Sequence, residues 1–156
     1  MANVFEPEWD VELPAPWRLR MARVGHHAGS ERLGASVYEI EPGGVVSPLH
    51  THFANEEMVI ALDGPVTLRT PDGERVLAPG EVVACPKGPE GAHQIRNRGD
   101  QMARVLIVSE MNLPEVAEQL DSGKLVVIHG SGFDDFTVEA YRRDDRVEQM
   151  LDEPAE

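Results

Sequence analysis

His50 and His52 lie two residues apart in a segment that reads as a β-strand, so both imidazoles point to the same face. The short connection Phe53-Ala54-Asn55-Glu56 follows, and Glu57 opens the next strand candidate. If those two neighbours pair, a carboxylate arrives beside two imidazoles. His93 opens a later strand after a Gly/Pro-rich loop. Three imidazoles and one carboxylate converging inside a fold suit a borderline divalent metal. Imidazole nitrogens bind such ions at about 2.0–2.1 Å, and a closed set of four ligands would leave zinc structural. Iron, manganese, nickel or copper would keep open positions for a substrate or for dioxygen. Glu56 competes with Glu57 for the carboxylate role, but alternation along the strand turns Glu56 to the other face.

Short β-branched runs, punctuated by 14 Gly and 12 Pro, must position these groups. Regular alternation of strand and turn signals predicts an all-β sandwich or barrel. Strand candidates are residues 17–24, 35–40, 45–52, 57–62, 66–69, 75–77, 82–85, 93–98, 102–109 and 124–128. Thr70-Pro71-Asp72-Gly73 is a hairpin signal. A single stretch reads as helical, with Asn112 as cap, Pro114 near the start, and Val116, Ala117 and Leu120 on one face. Residues 1–16, carrying Pro7, Trp9, Pro14 and Pro16, read as an extended arm that packs on its own barrel or crosses to a partner. One domain is then expected over residues 17–140, followed by a charged, acidic tail over 141–156.

The remaining chemistry-bearing residues have bland readings. Cys85 stands alone, which excludes an intrachain disulfide and a Cys-based zinc site, and it reads as a buried residue at a strand end. His26, His27 and His129 have no partner spacing and are expected at the surface or in turns. Gln94 and Arg96 alternate with Ile95 and are expected to face outward, while Asn97 closes a turn. Val59, Ala61 and Ile95 face inward, and Tyr38, Phe53, Met58 and Met102 are pocket candidates by position.

Charge narrows the partners. The chain has 156 residues with 14 Lys+Arg against 28 Asp+Glu, a formal net charge of −14. Such a surface repels phosphate backbones and anionic membranes, so neither nucleic acid nor membrane is an expected partner. The longest apolar runs are too short to cross a bilayer, and the first residues show neither a basic region nor an apolar signal core, so a cytoplasmic address is expected.

The motif spacing resembles the cupin superfamily. The first motif reads Gly44, five residues, His50-Thr51-His52, four residues, Glu57, six residues, Gly64. The second reads Gly80, Pro86, Gly88, His93 and Asn97, with four residues between Gly88 and His93 where the family pattern has two. That insertion enlarges a loop outside the strand and is expected to alter the loop more than the position of His93. A narrower likeness is to small bacterial single-domain cupins. The resemblance implies a double-stranded β-helix, or jelly-roll, barrel, a homodimer, and His50, His52, Glu57 and His93 as ligands to a divalent metal such as Fe, Zn, Ni or Mn.

Three functions follow as expectations. The first is a metal-dependent enzyme acting on a small organic substrate, of the iron(II) dioxygenase or isomerase type. The second is a non-catalytic small-molecule binding or sensing module. The third, a metal-stabilised structural role, is weakest for a lone acidic domain without repeats.

Overall fold

A computed structural model describes residues 2–132 and 135–143. The chain runs through β1 (Val11–Leu13), β2 (Leu19–Ala22), the single-turn α1 (Val24–His27) and β3 (Leu33–Ile40). It continues through β4 (His50–His52), β5 (Glu57–Asp63), β6 (Val66–Thr70), β7 (Gly73–Val76), β8 (Val82–Cys85) and β9 (Gln94–Asn97). The final strands are β10 (Ala103–Glu110), β11 (Glu115–Gln119), β12 (Lys124–Gly132) and β13 (Asp135–Arg142).

One sheet has the order β1-β2-β3-β10-β5-β8. Facing it are two smaller sheets, β7-β6-β9 and β13-β12-β11-β4. Two isolated bridges, His50↔His93 and Val45↔Arg96, join the smaller sheets along one seam. All pairings are antiparallel, and the result is an all-β jelly roll.

Period-two alternation explains which residues fill the interior. Val59 and Ala61 from β5, Val105 and Ile107 from β10, Ile40 from β3 and Ile95 from β9 belong to one buried cluster. Burying each large aliphatic side chain contributes about 1.5–3 kcal/mol. The residues between them point the opposite way. Val37 joins Ala22 and Val24 in a second cluster on the outer face of the large sheet, packed against Ala2, Val4 and Trp9. The N-terminal arm therefore lies on its own barrel. Its strand β1 pairs with β2, and the Arg20 guanidinium sits 4.2 Å over the Trp9 ring.

Glu39 lies on that covered outer face, 8% exposed. It accepts from Arg20 at 2.6 Å and from Arg104 at 2.5 Å. Arg104 also donates to the Phe5 carbonyl at 3.0 Å, tying the arm to β10.

Turn chemistry holds the ends of the strands. Gly64, between β5 and β6, has a φ of +70°, and a Cβ there would stand 2.0 Å from the Met102 carbonyl oxygen, so only glycine fits. Asn97 accepts from the Gly99 N–H and donates to the carbonyls of Ile40 and Gln101, closing the turn expected of it.

Several sequence expectations require correction. Residues 115–119 form strand β11, not a helix. The spacing of Val116, Ala117 and Leu120 suits a helical face, but the segment fills the slot between β4 and β12, where its backbone gains ladder partners on both sides. The first barrel strand ends at Ala22, and the chain then coils into α1, which carries His26 and His27. Gln94 is buried at 6% exposure, donating to the Ser47 carbonyl at 2.8 Å and accepting from Arg69. The tail expected from residue 141 begins inside β13, and residues 144–156 lie outside the described residues. No described helix is long and apolar enough to cross a membrane.

Burial raises the Glu39 carboxyl pKa, but Arg104 and Arg20 outweigh it and hold the group below its ordinary 4.5. A depressed carboxyl contributes stability above its unfolded pKa and loses it as pH falls through the folded value. Glu39→Gln is expected to cost about 1–2 kcal/mol at neutral pH, a figure moderated by the partial exposure of Arg20. Urea midpoints should show that gap closing as pH falls below 4.5; a gap independent of pH would mean the charge pair contributes nothing.

Candidate metal centre

Register brings the three imidazoles together. In β4, His50 and His52 share the inward face. His93 stands directly opposite His50 across the seam, with reciprocal backbone hydrogen bonds of 3.1 and 2.9 Å. Directly opposed residues of an antiparallel pair put their side chains on the same face, so the third imidazole joins the first two. Glu57 comes from β5 in the facing sheet, where it pairs with Cys85 and Ser109. The carboxylate therefore reaches the imidazoles across the interior, since β4 and β5 belong to different sheets and do not pair.

The donor atoms are close. His50 Nε2 and His52 Nε2 are 2.9 Å apart. Glu57 Oε2 lies 3.0 Å from His93 Nε2 and 3.6 Å from His52 Nε2. His50, His52 and Glu57 offer ligand atoms that all lie within 4.8 Å of one another. The His93 ring centroid is 4.7 Å from that of His50 and 6.3 Å from that of His52.

Two carbonyls fix the tautomers. His50 Nδ1 lies 2.9 Å from the Pro48 carbonyl and His93 Nδ1 lies 2.9 Å from the Gly91 carbonyl. A carbonyl only accepts, so each Nδ1 carries hydrogen and each Nε2 is turned toward the cluster. His52 differs: its Nδ1 is buried without a hydrogen bond, with Glu115 Oε2 3.7 Å away.

Glu115 is 2% exposed and tightly held. It accepts from the backbone N–H groups of Phe53 and Ala54 at 3.1 and 3.3 Å and from the Asn55 amide. Asn55 in turn is clasped by the Asn112 backbone. The β4–β11 register pairs Ala117 with His52, and Glu115, two residues along, shares that inward face. Strand alternation would have found this carboxylate, but reading residues 112–120 as helical hid it.

The loop before His93 absorbs its extra residues in a 3-10 turn over Pro89–Gly91. That loop is stitched to β4, since Gly88 donates to the His52 carbonyl at 2.7 Å and Thr51 donates to the Gly88 carbonyl. Gly91 packs so closely that a Cβ would stand 1.7 Å from the Pro86 carbonyl oxygen. His93 consequently stays in register and is 3% exposed.

Electrostatics couple the four groups. Burial lowers the His50 pKa to about 4, helped by the charges of His93 and His52. For His93 burial acts in the same direction, but Cys85 and Glu57 overcome it and push the value up to about 10. Glu57 stays below its usual range despite burial because His93 and His52 face it. Burial of Glu115 is likewise outweighed by His52 and the Ala54 N–H.

Donors about 2.1 Å from a shared ion and at right angles lie about 3 Å apart, close to the His50–His52 and Glu57–His93 separations. His50, His52 and Glu57 therefore form a donor set that suits a divalent transition metal, with His93 3.0 Å from Glu57 and Glu115 behind His52.

A cavity of about 230 Å³ adjoins His52 and Glu57 and is lined also by Ser36, Tyr38, Ser109 and Asn112. The large sheet supplies part of this wall in rows: Glu57, Ser109 and Gly34 form one, and Val59, Ile107 and Ser36 the next. Burial and the nearby Glu57 push the Tyr38 phenol up to about 12, against a hydrogen bond with Ser36. Of the other pocket candidates, Met102 lines a separate cavity under the N-terminal arm, and Phe53 and Met58 are exposed. Val59, Ala61 and Ile95 are core, and Cys85 is buried at the end of β8. His27 pairs with Asp10 and His129 with Glu139, both away from the cluster.

Comparison with known proteins places this geometry. Residues 36–109 match the Cupin domain family. No curated protein matches the chain in sequence. Among solved structures, a cupin-superfamily sugar phosphate isomerase from Silicibacter pomeroyi is 26% identical, with a TM-score of 0.79 over 93% of this chain and 94% of that one. A protein from Acidithiobacillus ferrooxidans, provisionally assigned as a sugar phosphate isomerase, is 25% identical, with a TM-score of 0.76 over 92% and 90% of the two chains. The polyketide cyclase RemF from Streptomyces resistomycificus, 22% identical over 74% and 82%, shares the fold at a TM-score of 0.60. With the family match spanning both histidine motifs and the jelly roll closed around them, residues 36–109 are a cupin domain.

Proposed function

We propose that His50, His52, Glu57 and His93 hold a divalent transition metal and that the protein is a metal-dependent enzyme of isomerase type acting on a small organic substrate. The observation that carries this reading is the convergence of three inward imidazoles and a carboxylate from the facing sheet, with donor separations of 2.9–3.6 Å, beside a cavity. Two relatives of similar length named for sugar phosphate isomerisation support it. A bound ion supplies Lewis-acid polarisation of a carbonyl or hydroxyl oxygen, and iron(II) would add the dioxygenase alternative.

The chain's own groups do the rest. The carbonyls of Pro48 and Gly91 orient two imidazoles, and the Glu115 carboxylate stands behind the third. Tyr38 faces the same cavity and keeps its proton at neutral pH, so it serves as a hydrogen-bond donor to a substrate oxygen. Apolar Ile107 beneath it limits water at the cavity floor.

Elemental analysis of tag-free protein is the first test. Near-stoichiometric transition metal is expected, and its absence even after reconstitution would overturn the reading. His50→Ala, His52→Ala and His93→Ala should each lose most of that metal while retaining the β-rich circular dichroism of the parent. Undiminished metal in any one would remove that residue from the ligand set.

Glu57→Gln should weaken metal binding more than Glu56→Gln, because Glu57 faces the imidazoles and Glu56 is exposed. The opposite ranking would move the carboxylate role by one residue. Glu115→Gln is expected to reduce metal affinity about 10–100-fold by withdrawing the charge behind His52. Competition with a chromogenic chelator measures it, and unchanged affinity would make Glu115 purely structural.

A further inference from the structure

Beside the cavity at His52 and Glu57 lies an outer chamber of about 480 Å³. Met111, Asn112, Leu113 and Ile128 line both, so the two chambers adjoin, and a ligand reaching the candidate centre from this side meets their shared wall on its passage. The far side of the outer chamber is made by Ser131 of β12 and Phe136 of β13.

The charges along this passage are one-sided. Glu57, Glu110 and Glu115 line the inner chamber and Glu31 the outer one, and among the described residues neither chamber is lined by a lysine or an arginine. Lys87 reaches the rim but is paired with Glu110 at 2.6 Å. A phosphate ester entering here finds no cation among the lining side chains, and Lys87 at the rim is already paired with Glu110, so burying the ester unpaired is costly. The net charge of −14 opposes its approach as well.

A cationic ligand fares no better inside, because the carboxylates are already engaged. Glu57 faces His93 and His52, Glu115 is held by Asn55 and two backbone N–H groups, and Glu110 is paired with Lys87. What remains on the wall is neutral hydrogen-bonding capacity from Ser36, Tyr38, Ser109 and Asn112, next to apolar Ile107, Leu113 and Ile128.

Resting on the metal reading above, we infer that this site takes an uncharged hydroxycarbonyl or polyol compound and discriminates against its phosphate ester, unlike the activity for which the similar isomerases are named. The hydroxyl and amide groups would bind the compound's oxygens, and the acidic passage would turn the ester away.

The test uses the full chain loaded with manganese(II), counted by elemental analysis, and follows water-proton relaxation during titration with dihydroxyacetone, dihydroxyacetone phosphate and inorganic phosphate. Dihydroxyacetone should displace water from the ion with a Kd at least tenfold below those of the other two. Tighter binding of the ester or of phosphate overturns the inference, as does a manganese-loaded protein that ignores dihydroxyacetone. A chain that takes up no manganese fails at the earlier, metal-binding step and carries this inference down with it. Met111 lines both chambers and is 41% exposed, so Met111→Lys supplies the missing cation on a tolerant side chain. This variant should tighten the ester severalfold relative to dihydroxyacetone at equal manganese content; no gain for the ester would mean that charge is not what excludes it.

Discussion

The reciprocal backbone pair between His50 and His93 joins two sheets that share no long ladder among the described residues, and it is reinforced along the seam by the Val45–Arg96 bridge and by hydrogen bonds such as that from the Val46 N–H to the Ile95 carbonyl. Backbone hydrogen bonding at this seam does two jobs with one geometry. It closes the smaller face of the jelly roll, and it turns two imidazoles from distant parts of the chain to the same side. The carbonyls of Pro48 and Gly91, each two residues before its histidine, then orient the rings. The ring orientations of His50 and His93 thus rest on main-chain contacts.

Around that seam the buried polar groups are arranged in shells. Glu115 carries no solvent contact to speak of, yet four donors or cations surround it: two backbone N–H groups, the Asn55 amide and, at longer range, His52. A buried carboxylate so supported is affordable, whereas the same carboxylate without Asn55 would carry a desolvation penalty. Asn55 therefore links the β4–β5 connection to the segment entering β11 and ties the cavity wall at Asn112 to the imidazole at His52. The outer face of the large sheet uses the same logic at Glu39, where two arginines pair with the carboxylate and one of them ties it to the N-terminal arm.

Much of this was legible in the residues. Period-two alternation and Gly/Pro punctuation marked most strands, and of the four spaced residues the structure groups His50, His52 and Glu57, with His93 beside Glu57. What alternation within a strand does not disclose is which sheet a strand joins. Pairing of β4 with β5 would have set Glu57 beside β4, and Glu57 instead faces it across the interior. Residues 112–120 were misread for a related reason: three apolar residues at helical spacing outweigh two inward positions in a five-residue strand, and pairing with β4 and β12 is a tertiary fact. Glu115 was lost with that misreading. Gln94 was expected outside because its neighbour Ile95 is core, but the seam covers both faces of β9 near its start, where Ser47 and Arg69 engage the amide.

The distribution of donors between layers has a mechanical side. Two of the four groups ride on one of the smaller sheets, a third stands on the bridge to the other, and the fourth comes from the large sheet opposite, so the gap between donors depends on how far apart the layers are held. Any substitution that wedges the layers apart, even deep among Val59, Ile95 and Val105, would pull Glu57 from the imidazoles while leaving every ladder intact. The centre is in this sense a caliper closed on the core, reading out how tightly the two faces of the barrel are packed.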